Sequence, residues 1–156
     1  MSKPRYPWWG YAKAMVRQYP ELKKEYEQLH EQAITANLSS IPGGGNASRK
    51  VEDVASRELP GSKQIEYEAV RRTIEATRAM RTGRDRLKLV EHAYWRQKQS
   101  LSLQGAAMAV NISYDTAIDY HGDFIMMVAY FRRLIAYSEL KERQKIALKS
   151  QKNVLR

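Results

Sequence analysis

Apolar positions recur along this chain with the period of a helix, and no segment alternates with the period of a strand. Tyr11, Met15 and Val16 fall on one helical face; Pro20 interrupts the pattern, and Leu22, Tyr26, Leu29 and Ala33 resume it at i, i+4, i+7. Residues 1–37 therefore predict a helix broken once, with Pro20 in the first turn of the second piece, where its missing N–H costs nothing. Residues 38–48 have the Pro, Gly and Ser content of a flexible linker, and Ser48 can cap a short helix through Glu58 that Pro60-Gly61 ends, which makes 38–61 a linker with a short helix. Ser62 then caps a longer helix carrying Ile65, Ala69, Ile74 and Met80, with Gly83 closing it. Asp85 opens another helix, bearing Leu87, Leu89, Val90, Ala93, Tyr94 and Trp95. Two more follow, Ser102 to Val110 and one from Ser113 that runs on past Tyr130 toward Lys149. The pattern gives an all-α protein: an N-terminal helical segment 1–37, the linker 38–61, a helical domain 62–130, and a C-terminal helix or tail 131–156. No internal repeat is present.

One stretch carries a specific signal. Residues 101–124 read Leu-Ser-Leu-Gln-Gly-Ala-Ala-Met-Ala-Val-Asn-Ile-Ser-Tyr-Asp-Thr-Ala-Ile-Asp-Tyr-His-Gly-Asp-Phe. A helix-turn-helix needs a small residue where its helices cross, a residue that tolerates the left-handed conformation in the turn, and apolar residues on both inner faces. Ala107 supplies the first and Asn111 the second. Ala106, Val110, Ile112, Ala117 and Tyr120 supply the inner faces, and Ser113 caps the second helix by accepting from the backbone N–H of Thr116 or its neighbour. An ordinary helical hairpin would show two short helices and an Asn turn as well; the joint fit favours a helix-turn-helix at 101–124, leading into a long terminal helix.

Composition narrows the chemistry. The chain has 156 residues and no cysteine, so disulfides, thiolate metal sites and cysteine nucleophiles are excluded, as a reducing cytoplasm allows. The N-terminal residues lack the apolar stretch of a signal peptide, and the longest apolar run, Phe124 to Phe131, falls short of the roughly 20 residues a membrane span needs. A cytoplasmic protein without a membrane partner is expected. His30, His92 and His121 have no metal-ligand spacing, and His121 and Asp123 point in different directions on a helix. Gly43-Gly44-Gly45 follows no strand and lacks the lysine of a phosphate loop. With no catalytic, metal or cofactor constellation, an enzyme is not expected. Met108, Met126 and Met127 read as core filling, whereas Trp8 and Trp9 fit either packing or an exposed partner patch.

The net charge of +10 points to a polyanion, and its distribution matters more than its size. Segment 62–98 carries +5 and segment 131–156 carries +6, while 99–130 carries −3, from Asp115, Asp119 and Asp123. The three carboxylates are spaced i, i+4, i+8 and line one helical face.

Leu101-Ser-Leu-Gln, Ala106-Ala107 and Asn111-Ile112-Ser113-Tyr-Asp-Thr116 resemble region four of sigma factors. Together with Trp8-Trp9-Gly10-Tyr11, Gly83-Arg-Asp-Arg-Leu-Lys-Leu-Val90, Tyr94-Trp95 and Tyr120-His121-Gly122-Asp123-Phe124, most of the chain resembles the RinA/ArpU-like phage regulators, small prophage proteins associated with late-gene transcription. The resemblance implies a sequence-specific transcriptional activator without enzymatic activity that binds double-stranded promoter DNA, with host RNA polymerase as a further candidate partner; separately, Ile135, Leu140, Ile146 and Leu148 leave room for a helix that packs on a second copy of the chain. A phage DNA-packaging or protein-interaction component, such as a small terminase-like subunit, is the alternative. Those subunits typically carry the motif near the N-terminus, whereas here nearly a hundred residues precede it.

In a helix-turn-helix the start of the second helix enters the major groove, which makes Ser113, Tyr114, Asp115, Thr116, Ile118 and Asp119 the base-reading candidates. Sigma-like helices usually carry cations at several of these places. Here a carboxylate can accept from cytosine N4, the acidic row can dock a basic protein face, or it can pair internally with arginines of 62–98. Phosphate-binding candidates are Arg81, Arg84, Arg86, Arg96, Lys98, Arg132 and Arg133, with a solvated helix face as the alternative for each cluster.

Overall fold

The computed structural model describes residues 6–39 and 58–154, with side chains over 6–32 and 58–150. These residues are mostly helical, with no strand among them, and comprise α1 (Trp9–Ser39), α2 (Lys63–Arg78), α3 (Gly83–Val90), α4 (Leu103–Val110), α5 (Tyr114–Phe131) and α6 (Glu142–Val154). A π-helical turn, Glu91–Trp95, extends α3, and a short 3₁₀ turn, Tyr137–Glu139, precedes α6. The short helix expected after Ser48 and most of the linker lie outside the described residues. None of the described helices is long and apolar enough to cross a membrane.

Helix α5 is the spine. Its first turns pack Ala117 against Leu89 of α3 and Ala106 and Ala107 of α4, all nearly inaccessible. Farther along, Phe124, Ile125 and Val128 enter the main core with Met15, Val16, Tyr19 and Leu22 of α1 and Tyr67 and Val70 of α2. On another face Met127 and Ala129 join Ala76 of α2 with Ile135, Leu140 and Leu148 of the C-terminal region. Trp8 and Trp9 are half-buried against the main core, so packing accounts for them.

The structure departs from the sequence pattern in four places. First, α1 is not broken: it runs through Pro20. Proline removes the N–H that would bond the carbonyl four residues back, that of Val16, a defect that costs about 3 kcal/mol when left unrepaired. The indole Nε1–H of Trp95 donates to that carbonyl at 2.7 Å and replaces the lost bond from outside the helix.

Second, the start of α2 is not capped by the Ser62 hydroxyl. Instead the Gln64 side chain reaches back and accepts from the Leu59 N–H at 2.9 Å. Third, Gly83 does not close α2, which ends at Arg78, but opens α3. A Cβ at Gly83 would collide with the Thr77 carbonyl oxygen, so glycine is there to let two backbones touch.

Finally, the long terminal helix is two helices. Helix α5 stops at Phe131 because Arg133 adopts a left-handed conformation, φ 68°. Leu134 N–H donates to the Ala129 carbonyl at 2.8 Å and Arg133 N–H to that of Tyr130 at 3.0 Å. This is a Schellman ending with an arginine where glycine is usual.

Candidate nucleic-acid interface

Local chemistry builds the α4–α5 turn much as the sequence pattern predicts. Ser102 caps α4, its Oγ accepting from Gly105 N–H at 3.1 Å. Asn111 leaves α4 in the left-handed region, φ 65° and ψ 46°, and Ile112 N–H returns to the Ala107 carbonyl at 3.0 Å. Ser113 then caps α5 by accepting from Thr116 N–H at 3.1 Å. Each serine satisfies a backbone donor that would otherwise be orphaned, worth about 1 kcal/mol apiece. Val110, Ile112 and Tyr120 close over the alanine contact, half-buried.

What this turn exposes is mostly apolar. Met108, expected as core filling, is instead 77% exposed because it lies on the outer face of α4; Ile118 is 47% and Tyr114 37% exposed, and Asp115 is exposed beside them. The Ser113 hydroxyl donates to Thr116 Oγ1 at 2.7 Å and accepts from the Thr116 N–H at the helix start. The work of these two side chains in the free protein is capping.

The acidic row divides into three environments. Asp115 faces solvent. Asp119 is half-exposed and meets Arg143 at 2.8 Å and Lys141 at 3.6 Å. Asp123 is 1% exposed and meets Arg86 at 2.8 Å, Arg143 at 2.6 Å and Lys141 at 3.2 Å. Burial by itself would raise the Asp123 pKa, but hydrogen bonds from Arg143 and Arg86 and the charge of Lys141 outweigh it, and the carboxyl lies below its ordinary value. Gln144, fully buried, donates to the Asp123 carbonyl at 2.8 Å and accepts from Lys141 N–H at 2.8 Å. The start of α6 is thereby fastened to the middle of α5, and two of the three carboxylates are neutralised before any polyanion approaches.

This network removes Arg86 from the phosphate-binding candidates. The residue is 7% exposed, its Nε donates to Thr82 Oγ1 at 2.7 Å, and its guanidinium lies 4.2 Å from the centre of the Tyr120 ring. A buried arginine committed to a buried aspartate has no face for a phosphate. Internal pairing with an arginine of 62–98 thus holds for Asp123, while the remaining partners come from Lys141 and Arg143, which the sequence pattern left in a basic tail. A usable signal was present: Asp123 opens the apolar run Phe124 to Phe131, and a carboxylate entering such a run requires a buried cation.

The other cations separate by position. Arg81, Arg84, Arg96 and Lys98 are exposed and have no ion pair among the described residues. Arg84 lies on α3 and Arg96 and Lys98 lie between the π turn and α4, the two elements that pack directly behind α5's first turns. Arg132 and Arg133 sit beyond the other end of α5, about 27 Å from Tyr114 at 1.5 Å per residue. Arg132 also donates to Tyr11 Oη at 3.2 Å. These two are not brought together with the exposed start of α5.

His121 serves packing. Its Nε2 lies 2.6 Å from Tyr94 Oη, and Trp9 meets its ring edge-on. Burial, reinforced by Lys13, pushes its pKa down to about 4, and burial raises Tyr94 to about 12, so both stay neutral near pH 7. Among the described residues no group of His, Asp and Glu is arranged to hold a metal ion. No protein family, curated protein or solved structure gives a significant match to this chain.

Proposed function

We propose that this chain is a phage-type transcriptional regulator that binds promoter DNA through α4 and α5 as a helix-turn-helix. The observation that carries the reading is the turn itself: left-handed Asn111 between two serine caps, with alanines at the helix contact and Tyr114, Asp115 and Ile118 left outside. In this arrangement the first turns of α5 enter the major groove. Ile118 and Tyr114 offer apolar surface to thymine methyls, and Asp115 accepts from cytosine N4. Asp119 is held by Arg143 and Lys141, so its part is to anchor two cations beside the reading helix. Arg84, Arg96 and Lys98 supply sequence-independent attraction to phosphates.

Fluorescence titration of the full chain against promoter and scrambled duplexes at two salt concentrations tests this. Ile118→Ala and Asp115→Ala should each reduce the preference for the promoter by roughly tenfold, the worth of about 1–3 kcal/mol per base contact. Replacing Arg84, Arg96 and Lys98 with Gln should weaken both duplexes alike and flatten the salt dependence. Equal affinity for both duplexes, unaffected by the α5 substitutions, would sink the base-reading part. Failure to bind any duplex would transfer the surface to a protein partner.

A further inference from the structure

At the far end of α5 lies a groove of about 980 Å³ between α2, the segment after α5, and α6. Phe131, Ile135 and Leu148 give it an apolar floor, the latter two only 9% and 8% exposed. Arg72, Arg133 and Lys149 stand on its rim, all exposed. Its one carboxylate, Glu75, is already taken by Arg71 at 2.6 Å. Glu68, the nearest acid to Arg72 at 3.8 Å, is held by Arg71 at 2.7 Å. Arg133 and Lys149 have no ion pair among the described residues. The groove therefore presents an apolar floor under unspent positive charge.

Arg133 adds a second observation. Its left-handed conformation is one that glycine adopts without strain and an arginine does not, yet an arginine occupies it. Strain retained at a surface position calls for a use of the side chain, and the rim of the groove supplies one.

We propose that this groove docks an acidic, amphipathic helical segment of a partner protein. Leucine or phenylalanine side chains one helical turn apart fill the floor, while flanking carboxylates meet Arg133, Lys149 and Arg72. The volume suits a few such side chains. Single-stranded nucleic acid fits less well, because the groove offers one exposed ring and no row of them: Tyr137 is exposed but carries Lys145 over one face at 5.3 Å, and Tyr130 packs against Phe131 and Tyr137. The site lies at the opposite end of α5 from the proposed DNA surface and stands independently of that reading.

Fluorescence anisotropy of the full chain with a short fluorescein-labelled helical peptide, leucines on one face and glutamates on the other, tests the proposal. Saturable binding is expected, at least about tenfold tighter than for a peptide of the same composition with its leucines dispersed. Arg133→Glu and Lys149→Glu should each weaken it by about tenfold. Ala136→Trp, at an exposed lining position, should block the groove while circular dichroism stays unchanged. Arg133→Gly should raise the melting temperature and lower peptide affinity together, a combination that a purely structural arginine would not give. Absent binding, equal affinity for the dispersed peptide, or indifference to Ala136→Trp overturns the proposal. So does displacement of the peptide by oligothymidylate whose own binding falls with Ala136→Trp, which would give the groove to nucleic acid. Self-association abolished by Ala136→Trp would give it to a second copy and overturn the proposal equally.

Discussion

Two left-handed residues bracket α5, and the chain fills them with different side chains. Before the helix stands Asn111, φ 65°, a residue whose short polar side chain tolerates this conformation. After it stands Arg133, φ 68°, which has no such tolerance. The hydrogen bonds are the same at both: each residue donates to the carbonyl three back, and the following residue to the carbonyl five back. What differs is the surroundings. The first turn closes on alanines and leaves apolar side chains facing outward, whereas the second closes on Ile135 and Leu148 and leaves cations facing outward. The same backbone device therefore makes two surfaces of opposite character at the two ends of one helix, one mostly apolar and one rimmed by cations.

Between those ends Asp123 ties α5 to α6, and its removal is expected to have the largest effect. Asp123→Ala strands Arg86 in the interior without its countercharge and removes the ion pairs to Lys141 and Arg143, leaving only Gln144 on the main-chain carbonyl to hold the start of α6, a loss of about 3–5 kcal/mol in urea unfolding. Asp119→Ala, one turn earlier on the same row, should cost no more than about 1 kcal/mol, because its pairs with Arg143 and Lys141 are half-exposed. Equal losses would mean that the two carboxylates share one environment and that the division of α5 drawn from burial is false.

A smaller effect separates the side of α5 that faces α1 from the side that faces α6. His121 takes its proton near pH 4 in the folded chain and near its ordinary 6.5 when unfolded. As pH falls through that window the unfolded chain binds the proton first, so stability is present above pH 6.5 and drains away toward pH 4. Between pH 7 and pH 5 the loss should be about 2 kcal/mol. Asp123 does not contribute there, since its lowered pKa places its titration below the ordinary carboxylate range. Urea titrations at the two pH values, compared with His121→Gln, should show the difference shrinking in the variant. An undiminished difference would move the acid sensitivity away from this histidine.

Local signals were legible in the sequence and distant remedies were not. The α4–α5 turn could be read because each of its determinants acts within a few residues: Ser102 on Gly105, Asn111 on the α4 carbonyls, Ser113 on Thr116. Pro20 was misleading because its repair comes from Trp95, far along the chain. Gly83 looked like a helix terminator; its actual constraint is the approach of the Thr77 carbonyl, which no spacing rule reports. Arg133 sits in a run that reads as continuous helix, and nothing local marks an arginine as the stop. The acidic row was seen, but its cations come from Arg86 on one side and Lys141 and Arg143 on the other, a match made only by folding.

The finest test of the two turns exchanges their residues for glycine. At position 111 asparagine already accommodates the left-handed backbone, so Asn111→Gly should change stability by only a few tenths of a kcal/mol. At position 133 the arginine has no such compensation, and Arg133→Gly should stabilise the chain by about 1 kcal/mol. The side chain's loss does not offset this, since Arg133 is exposed and forms no ion pair among the described residues. Thermal denaturation of the two variants side by side makes the comparison internal, because both substitutions raise the backbone entropy of the unfolded chain to a similar degree. A stabilisation confined to position 133 would show strain retained at the groove end alone. Equal shifts at both positions would remove backbone strain as a reason for assigning the Arg133 side chain a use.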